Sequence, residues 1–278
     1  MGIRQLLGTI RRRTIAALER RELPLTLDSP VISFTFDDFP RSALLMGGTV
    51  LKSYGANGTY YVAMGLMNKK NDLGEQFRAE DLGALLEAGH ELGSHSFSHV
   101  SCRSRRLQDY QADVLQGRAA VEQVTGILDV HHFSYPYGHV TLGAKRLIGN
   151  SFSSCRGIVP GINESPVDLS LLRANSLYSQ AFDLDSVDRL LKENQRRRGW
   201  VIFYTHDVSE NPSPFGCRPG QLEKVVQLAA SRGKIRSVGQ SISTATESES
   251  KARSGDVLAT ESAGITLREQ HEENTPWI

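Results

Sequence analysis

The sequence predicts an α/β protein built on a parallel sheet, either a barrel or an open doubly wound sheet. Three observations carry this. Strand-like and helix-like segments alternate from Val31 to about Ile242. Two strand-like segments, Val31–Phe36 and Trp200–Tyr204, are apolar almost throughout rather than alternating, as strands covered on both faces are. Residues with chemistry to offer fall where strands should end, and such folds build their sites at the carboxyl ends of strands.

Taken in order, residues 1–22 read as an amphipathic helix. Ile3, Leu7, Ile10 and Leu18 lie roughly along one face, and six arginines lie elsewhere (Arg4, Arg11, Arg12, Arg13, Arg20, Arg21). The helix is expected to pack its apolar side on the domain. The sharper reading is weak peripheral contact of residues 1–22 with an anionic membrane. Strands are expected at 31–36, 58–63, 91–95, 132–135, 154–158, 200–205 and 235–239. Helices are expected at 41–53, 79–89, 106–125, 141–148, 184–198 and 220–232. Gly55, Gly93 and Gly126 punctuate these segments as caps or turns. After about Ser243 the pattern stops, and 246–278 is expected to be mostly a disordered polar tail. The organisation is therefore an N-terminal helix (1–25), one domain (26–245) and a tail (246–278).

Composition excludes little but points one way. With 39% hydrophobic and 23% charged residues the chain is an ordinary globular one. A formal net charge of +1 gives no global pull toward nucleic acid or membrane. No stretch approaches the roughly 18 apolar residues of a membrane span. Cys102, Cys155 and Cys217 are odd in number and widely spaced, so no disulfide framework and no CxxC ligand pair is expected. Arg11, Arg12 and Arg13 interrupt any hydrophobic N-terminal region, so no secretory signal is visible and a cytoplasmic location is expected.

The chemistry centres on His95-Ser96-Phe97-Ser98-His99. Two imidazoles four positions apart lie on one side of a helical turn, with Cβ atoms roughly 5–6 Å apart, and can converge on one metal ion. A third ligand is best sought in Asp37-Asp38, at the end of the first strand. Consecutive side chains leave an extended backbone on opposite sides, so one aspartate can face an ion while its neighbour reaches a water. Two more stretches sit at strand ends: Tyr135-Pro136-Tyr137-Gly138 and Thr205-His206-Asp207.

That order resembles the polysaccharide deacetylases with a NodB homology domain, carbohydrate esterase family 4. The resemblance covers roughly residues 30–240, in the family's sequence of motifs TFDD, H-[ST]-x-x-H, R-x-P-[FY]-G and a late strand ending in LxH. Here they read TFDD at 35–38, HSFSH at 95–99, SYPYG at 134–138 and YTH at 204–206. Ser134 stands where the family usually has arginine, and Tyr204 where it has leucine. The family's fourth motif, an Asp with a nearby Trp, is not found.

The resemblance implies a distorted (β/α) barrel of about seven parallel strands, similar to a TIM barrel. It implies that Asp38, His95 and His99 hold a divalent metal, with zinc first on ligand type and cobalt, nickel or iron also accepted. Asp37 is then the base, the backbone N–H of Tyr137 helps hold the oxyanion, and His206 protonates the departing amine. Arg173, between the third motif and His206, is the candidate to replace the missing arginine beside Asp37. The implied substrate is an N-acetylated amino sugar in a polysaccharide, oligosaccharide or glycan precursor. Tyr60, Tyr61, Tyr137 and Phe215 could stack on sugar rings. Hydrolysis of a non-sugar amide or cyclic ureide is the alternative within enzymes. A glycan-binding protein that has lost turnover is the alternative outside them.

Overall fold

The computed structural model describes residues 14–127 and 129–246. Eight strands form one parallel sheet: β1 (Val31–Asp38), β2 (Thr59–Val62), β3 (Glu91–Ser94), β4 (His132–Ser134), β5 (Ser154–Arg156), β6 (Asn175–Ser176), β7 (Trp200–Thr205) and β8 (Lys234–Ile235). The order is β6-β7-β1-β2-β3-β4-β5, with β8 also on β1. Val31–Phe36 lie in register with Trp200–Thr205, and Thr35–Asp38 with Thr59–Val62. Lys234 and Ile235 pair with Val31 and Ile32 below the start of β2. The sheet curls until residues 172–176 touch both edges. Leu172 bridges Arg156, and Asn175–Ser176 pair with Phe203–Tyr204. This is the distorted (β/α) barrel that the motifs imply.

The helices follow the strands: α1 (Thr49–Ser53), α2 (Ala79–Glu87), α3 (Leu107–Thr125), α4 (Leu142–Gly149), α5 (Leu184–Arg197) and α6 (Pro219–Arg232). They cover the sheet, so all eight residues of β1 and all six of β7 are buried. Phe34 stacks on Phe203 (centroids 5.7 Å apart) and Phe36 on Tyr60 (4.6 Å). Each such side chain contributes about 1.5–3 kcal/mol by leaving water, which is what holds the strand that carries Asp37 and Asp38.

Two expectations are corrected. The segment at 235–239 is a strand only at Lys234–Ile235, and 238–246 is helical. Ser237 and Gln240 bond each other's backbone N–H groups at its start, a capping arrangement three residues apart. The short strand β6 has no apolar run and escaped the pattern. At the N-terminus only 14–17 is helical among the described residues, and 22–23 pairs antiparallel with 167–168. A strand cannot continue a helix, and Leu18, expected on the apolar face, is 48% exposed. Arg20 and Arg21 donate to backbone carbonyls of Pro166, Gly149 and Ser153. Residues 1–13, with the other four arginines, lie outside the described residues, as does all of the expected tail beyond 246. His90 Nδ1 accepts from the Gly58 N–H (3.0 Å), and burial, then Lys52, lowers the ring below its ordinary value. The three cysteines, Cys102, Cys155 and Cys217, are free and buried.

Candidate active site

The site opens where β1, β3, β4, β5 and β7 end. Asp37 and Asp38 close β1. The alternation expected of an extended strand fails at the second of them, because Asp38 has φ 63° and Phe39 φ 64°. Phe39 is buried against Phe77 (5.3 Å, stacked) and holds that turn. His95 to His99 is a loop, not the helical turn expected from the spacing, because Ser96 (φ 66°) and His99 (φ 52°) are left-handed. Asp113 of α3 accepts from the N–H groups of Phe97 and Ser98, and Ser96 Oγ accepts from the His99 N–H. The helix comes this close because residue 117 is glycine. A Cβ there would lie 2.4 Å from the Ser96 carbonyl carbon. Non-glycine residues with φ above zero cost energy and gather at functional sites. Here they gather at Asp38, Ser96, His99 and Tyr137.

Asp38, His95 and His99 converge. One ligand atom from each lies within 4.8 Å of the others. Asp38 Oδ1 is 3.0 Å from His99 Nε2 and 3.5 Å from His95 Nε2. It is buried and satisfied by no hydrogen bond. His95 Nδ1 lies 2.7 Å from the Ser134 carbonyl, to which it donates, so its Nε2 lone pair faces the cluster. Burial pushes His95 down to about 3, and His99 also lies below its ordinary value, chiefly through burial. Both rings are therefore neutral and able to ligate. Burial raises Asp38 to about 6 despite His206, and Asp37 adds to the rise. An orphaned buried carboxylate oxygen between two neutral imidazoles is a donor set that fits a divalent cation with an open position.

Asp37 has a different environment. The Arg156 guanidinium contacts both its carboxylate oxygens and donates to Ser134 Oγ and the Gly157 carbonyl. Burial alone would raise Asp37, but Arg156, then His95 and His206, hold it below the ordinary carboxylate range. Arg156 is itself fully buried, between the rings of Tyr61 (5.2 Å) and Tyr204 (4.9 Å). The expected donor, Arg173, is elsewhere. It is exposed, and its guanidinium donates to the Pro160 carbonyl (3.0 Å). Leu172 turns into the barrel wall, so its neighbour faces outward. The signal for Arg156 was an arginine inside the strand candidate 154–158, at the same end as the other motif residues.

The remaining residues surround this centre. His206, the first residue after β7, has Nδ1 3.2 Å from the Phe215 carbonyl. Its ring lies 5.8 Å from Phe215 and 6.0 Å from Tyr178. Tyr137, left-handed at φ 58°, places its ring 4.5 Å from that of His99. Tyr137 and Phe215 are 56% and 51% exposed and flank the centre. Tyr60 and Tyr61 are fully buried, which corrects the expectation that they could stack on a sugar.

Residues 25–149 match the sequence model of the family described as polysaccharide deacetylase. A 129-residue stretch is 28% identical to the peptidoglycan-N-acetylglucosamine deacetylase PgdA of Listeria monocytogenes, over 46% of this chain and 26% of that protein. The chain thus spans about a quarter of the length of this curated relative. Among solved structures, the fold is similar to the Xyl-CE4 domain of a multidomain xylanase from the hindgut metagenome of Trinervitermes trinervoides. The TM-score is 0.54 at 18% identity, over 78% of this chain and 91% of that one. It is also similar to a family 4 acetyl xylan esterase from Clostridium thermocellum, solved with a cobalt ion. There the TM-score is 0.53 at 18% identity, over 77% and 91%. At those identities the likeness is one of fold. The match over residues 25–149, the order of the motifs and the curled parallel barrel all point the same way: the chain is similar in sequence and fold to the NodB-type polysaccharide deacetylases of carbohydrate esterase family 4.

Proposed function

We propose that the chain is a metal-dependent deacetylase that hydrolyses the N-acetyl amide of an amino sugar within a glycan. The observation that carries this is the orphaned Asp38 oxygen between two neutral histidines, with an arginine-held carboxylate beside it. Asp38, His95 and His99 would hold the ion, zinc or another divalent transition metal such as cobalt or nickel. When bound, such an ion polarises the acetyl carbonyl and acidifies a water.

The rest is done by the chain itself. Asp37, ionised, takes the proton of the attacking water. The new C–O bond forms as the carbonyl oxygen gains charge, and the Tyr137 N–H donates to it. His206, with Nδ1 engaged at the Phe215 carbonyl, delivers a proton through Nε2 to the departing nitrogen as the C–N bond breaks. Acetate and a free amino sugar result. Exposed Tyr137 and Phe215 on either side offer faces to neighbouring sugar rings.

The test is purified protein with added zinc or cobalt, assayed for acetate released from N-acetylchitooligosaccharides. O-acetylated xylan belongs in the same assay, because one structural neighbour is an acetyl xylan esterase. Metal-dependent acetate release from the amide is expected. No release from any acetylated glycan by metal-loaded protein would overturn the reading. The Arg156 guanidinium beside Asp37 supports turnover over the alternative of a glycan-binding protein that has lost it.

A further inference from the structure

We propose that Arg156 is the positioning residue for Asp37, supplying from β5 the cation that the family pattern supplies from residue 134 on β4. The inference rests on the deacetylase reading.

Three observations carry it. Ser134 and Arg156 are direct cross-strand partners in the parallel ladder between β4 and β5. A side chain on β5 at this register therefore reaches the same region of the barrel interior as one on β4. Ser134 is short and its hydroxyl accepts from the same guanidinium nitrogen that meets Asp37. An arginine at 134 would occupy that place, so serine at 134 and arginine at 156 are the two halves of one exchange. Finally, the guanidinium is held on all sides. Tyr61 and Tyr204 cover its faces, and the Gly157 carbonyl takes a further donor.

Stability does not explain this arrangement. A buried ion pair gains little over an apolar pair of the same volume, and Arg156 Nε is left without a hydrogen bond. What the pair does supply is direction. The guanidinium keeps both Asp37 oxygens on the β5 side, so that Asp38 alone turns to the two histidines. Arg173, on the outer side of the wall, cannot do this.

The test compares wild type, Arg156→Ser, Arg156→Lys and the double exchange Arg156→Ser with Ser134→Arg. Each is loaded with cobalt for its visible spectrum and with zinc for kinetics on N-acetylchitooligosaccharide. Arg156→Ser is expected to lower kcat about 10²-fold, the scale for losing one preorganised charged contact, with KM and metal content little changed. The double exchange should recover at least a tenth of the wild-type rate. The cobalt spectrum of Arg156→Ser should change as Asp37 swings to the ion. Adding Asp37→Asn to Arg156→Ser should abolish that change. Arg156→Lys keeps the buried charge and serves if the serine variant does not fold. It should keep the metal but lose most of kcat, because a point charge does not fix two oxygens. A folded, metal-loaded Arg156→Ser with wild-type kcat overturns the proposal, and so does a double exchange no better than the single. If wild type itself releases no acetate, the deacetylase reading fails. The spectrum then decides, and one unchanged by Arg156→Ser overturns the positioning role.

Discussion

A metal held through Asp38 should bind with an affinity that depends on pH in a calculable way. In the metal-free protein the Asp38 carboxyl is raised to about 6 by burial, while His95 falls to about 3. A metal needs the carboxylate. At pH 7 a group at 6 is about nine-tenths ionised, and at pH 5 about one-tenth. Lowering the pH from 7 to 5 should therefore weaken metal binding about tenfold, roughly 1.4 kcal/mol. The sign follows from the raised value: protons compete below about 6 and not above. An ordinary carboxyl, near 4, would leave affinity flat over the same range. Any proton taken up by His99 would steepen the fall, so tenfold is the lower bound. The assay is calorimetric titration of zinc into metal-free protein at pH 7, 6 and 5 in two buffers of different ionisation enthalpy. At pH 5 close to one proton should leave per ion bound, and at pH 7 close to none. Asp38→Asn should bind far more weakly and without this dependence. Equal affinity at pH 7 and 5 for the wild type would refute the argument that burial of Asp38 sets the competition.

Four further outcomes follow from the geometry. Asp37→Asn should keep one metal per chain, measured by elemental analysis, while losing at least about 10²-fold in kcat. Lys145 has no exposed side-chain surface and donates to Asp168 (2.7 Å) and to the carbonyls of Ile15 and Leu18. Asp168 keeps other donors, so Lys145→Ala should cost about 3 kcal/mol, the low end for a broken buried pair. That should lower Tm by about 6–12 °C in a thermal melt. In Gly93→Ala the new Cβ would lie 2.5 Å from the Tyr61 ring, and that ring covers Arg156. The change should cost about 1–3 kcal/mol and reduce kcat, whereas Arg173→Ala should leave kcat near wild type.

Much of this was legible because its causes are local. β1 and β7 announce themselves through runs of large apolar residues, since a strand buried on both faces has no polar side to show. TFDD and HSFSH are legible because each motif holds its polar, chemistry-bearing residues within a few positions of one another. The spacing of His95 and His99 misled about the backbone, since two left-handed residues give the same convergence as a helical turn. What escaped depends on distant pairing. Which strand brings a cation to Asp37 is decided by the register of β4 against β5, and no property of residues 154–158 alone contains it. β6 escaped because two residues, Asn175 and Ser176, earn their place by closing the sheet rather than by burying apolar surface.

The position of β1 bears on how the chain comes to be folded at all. Its partners on either side include β7 and β8, some 160–200 residues later in the chain. At about 5–20 residues per second, the ribosome delivers those partners on the order of ten seconds or more after β1 emerges. During that interval Phe36 has only β2 to pair with, on one side, and Ile32 and Phe34 have no strand partner. Residues 25–149, the part that matches the family model, contain β1 but neither of its later partners. A fragment cut at 149 should therefore present an unpaired apolar strand edge, the feature that drives aggregation. The nascent chain presents the same edge, which makes its first half a natural client for chaperones until the last third of the barrel arrives.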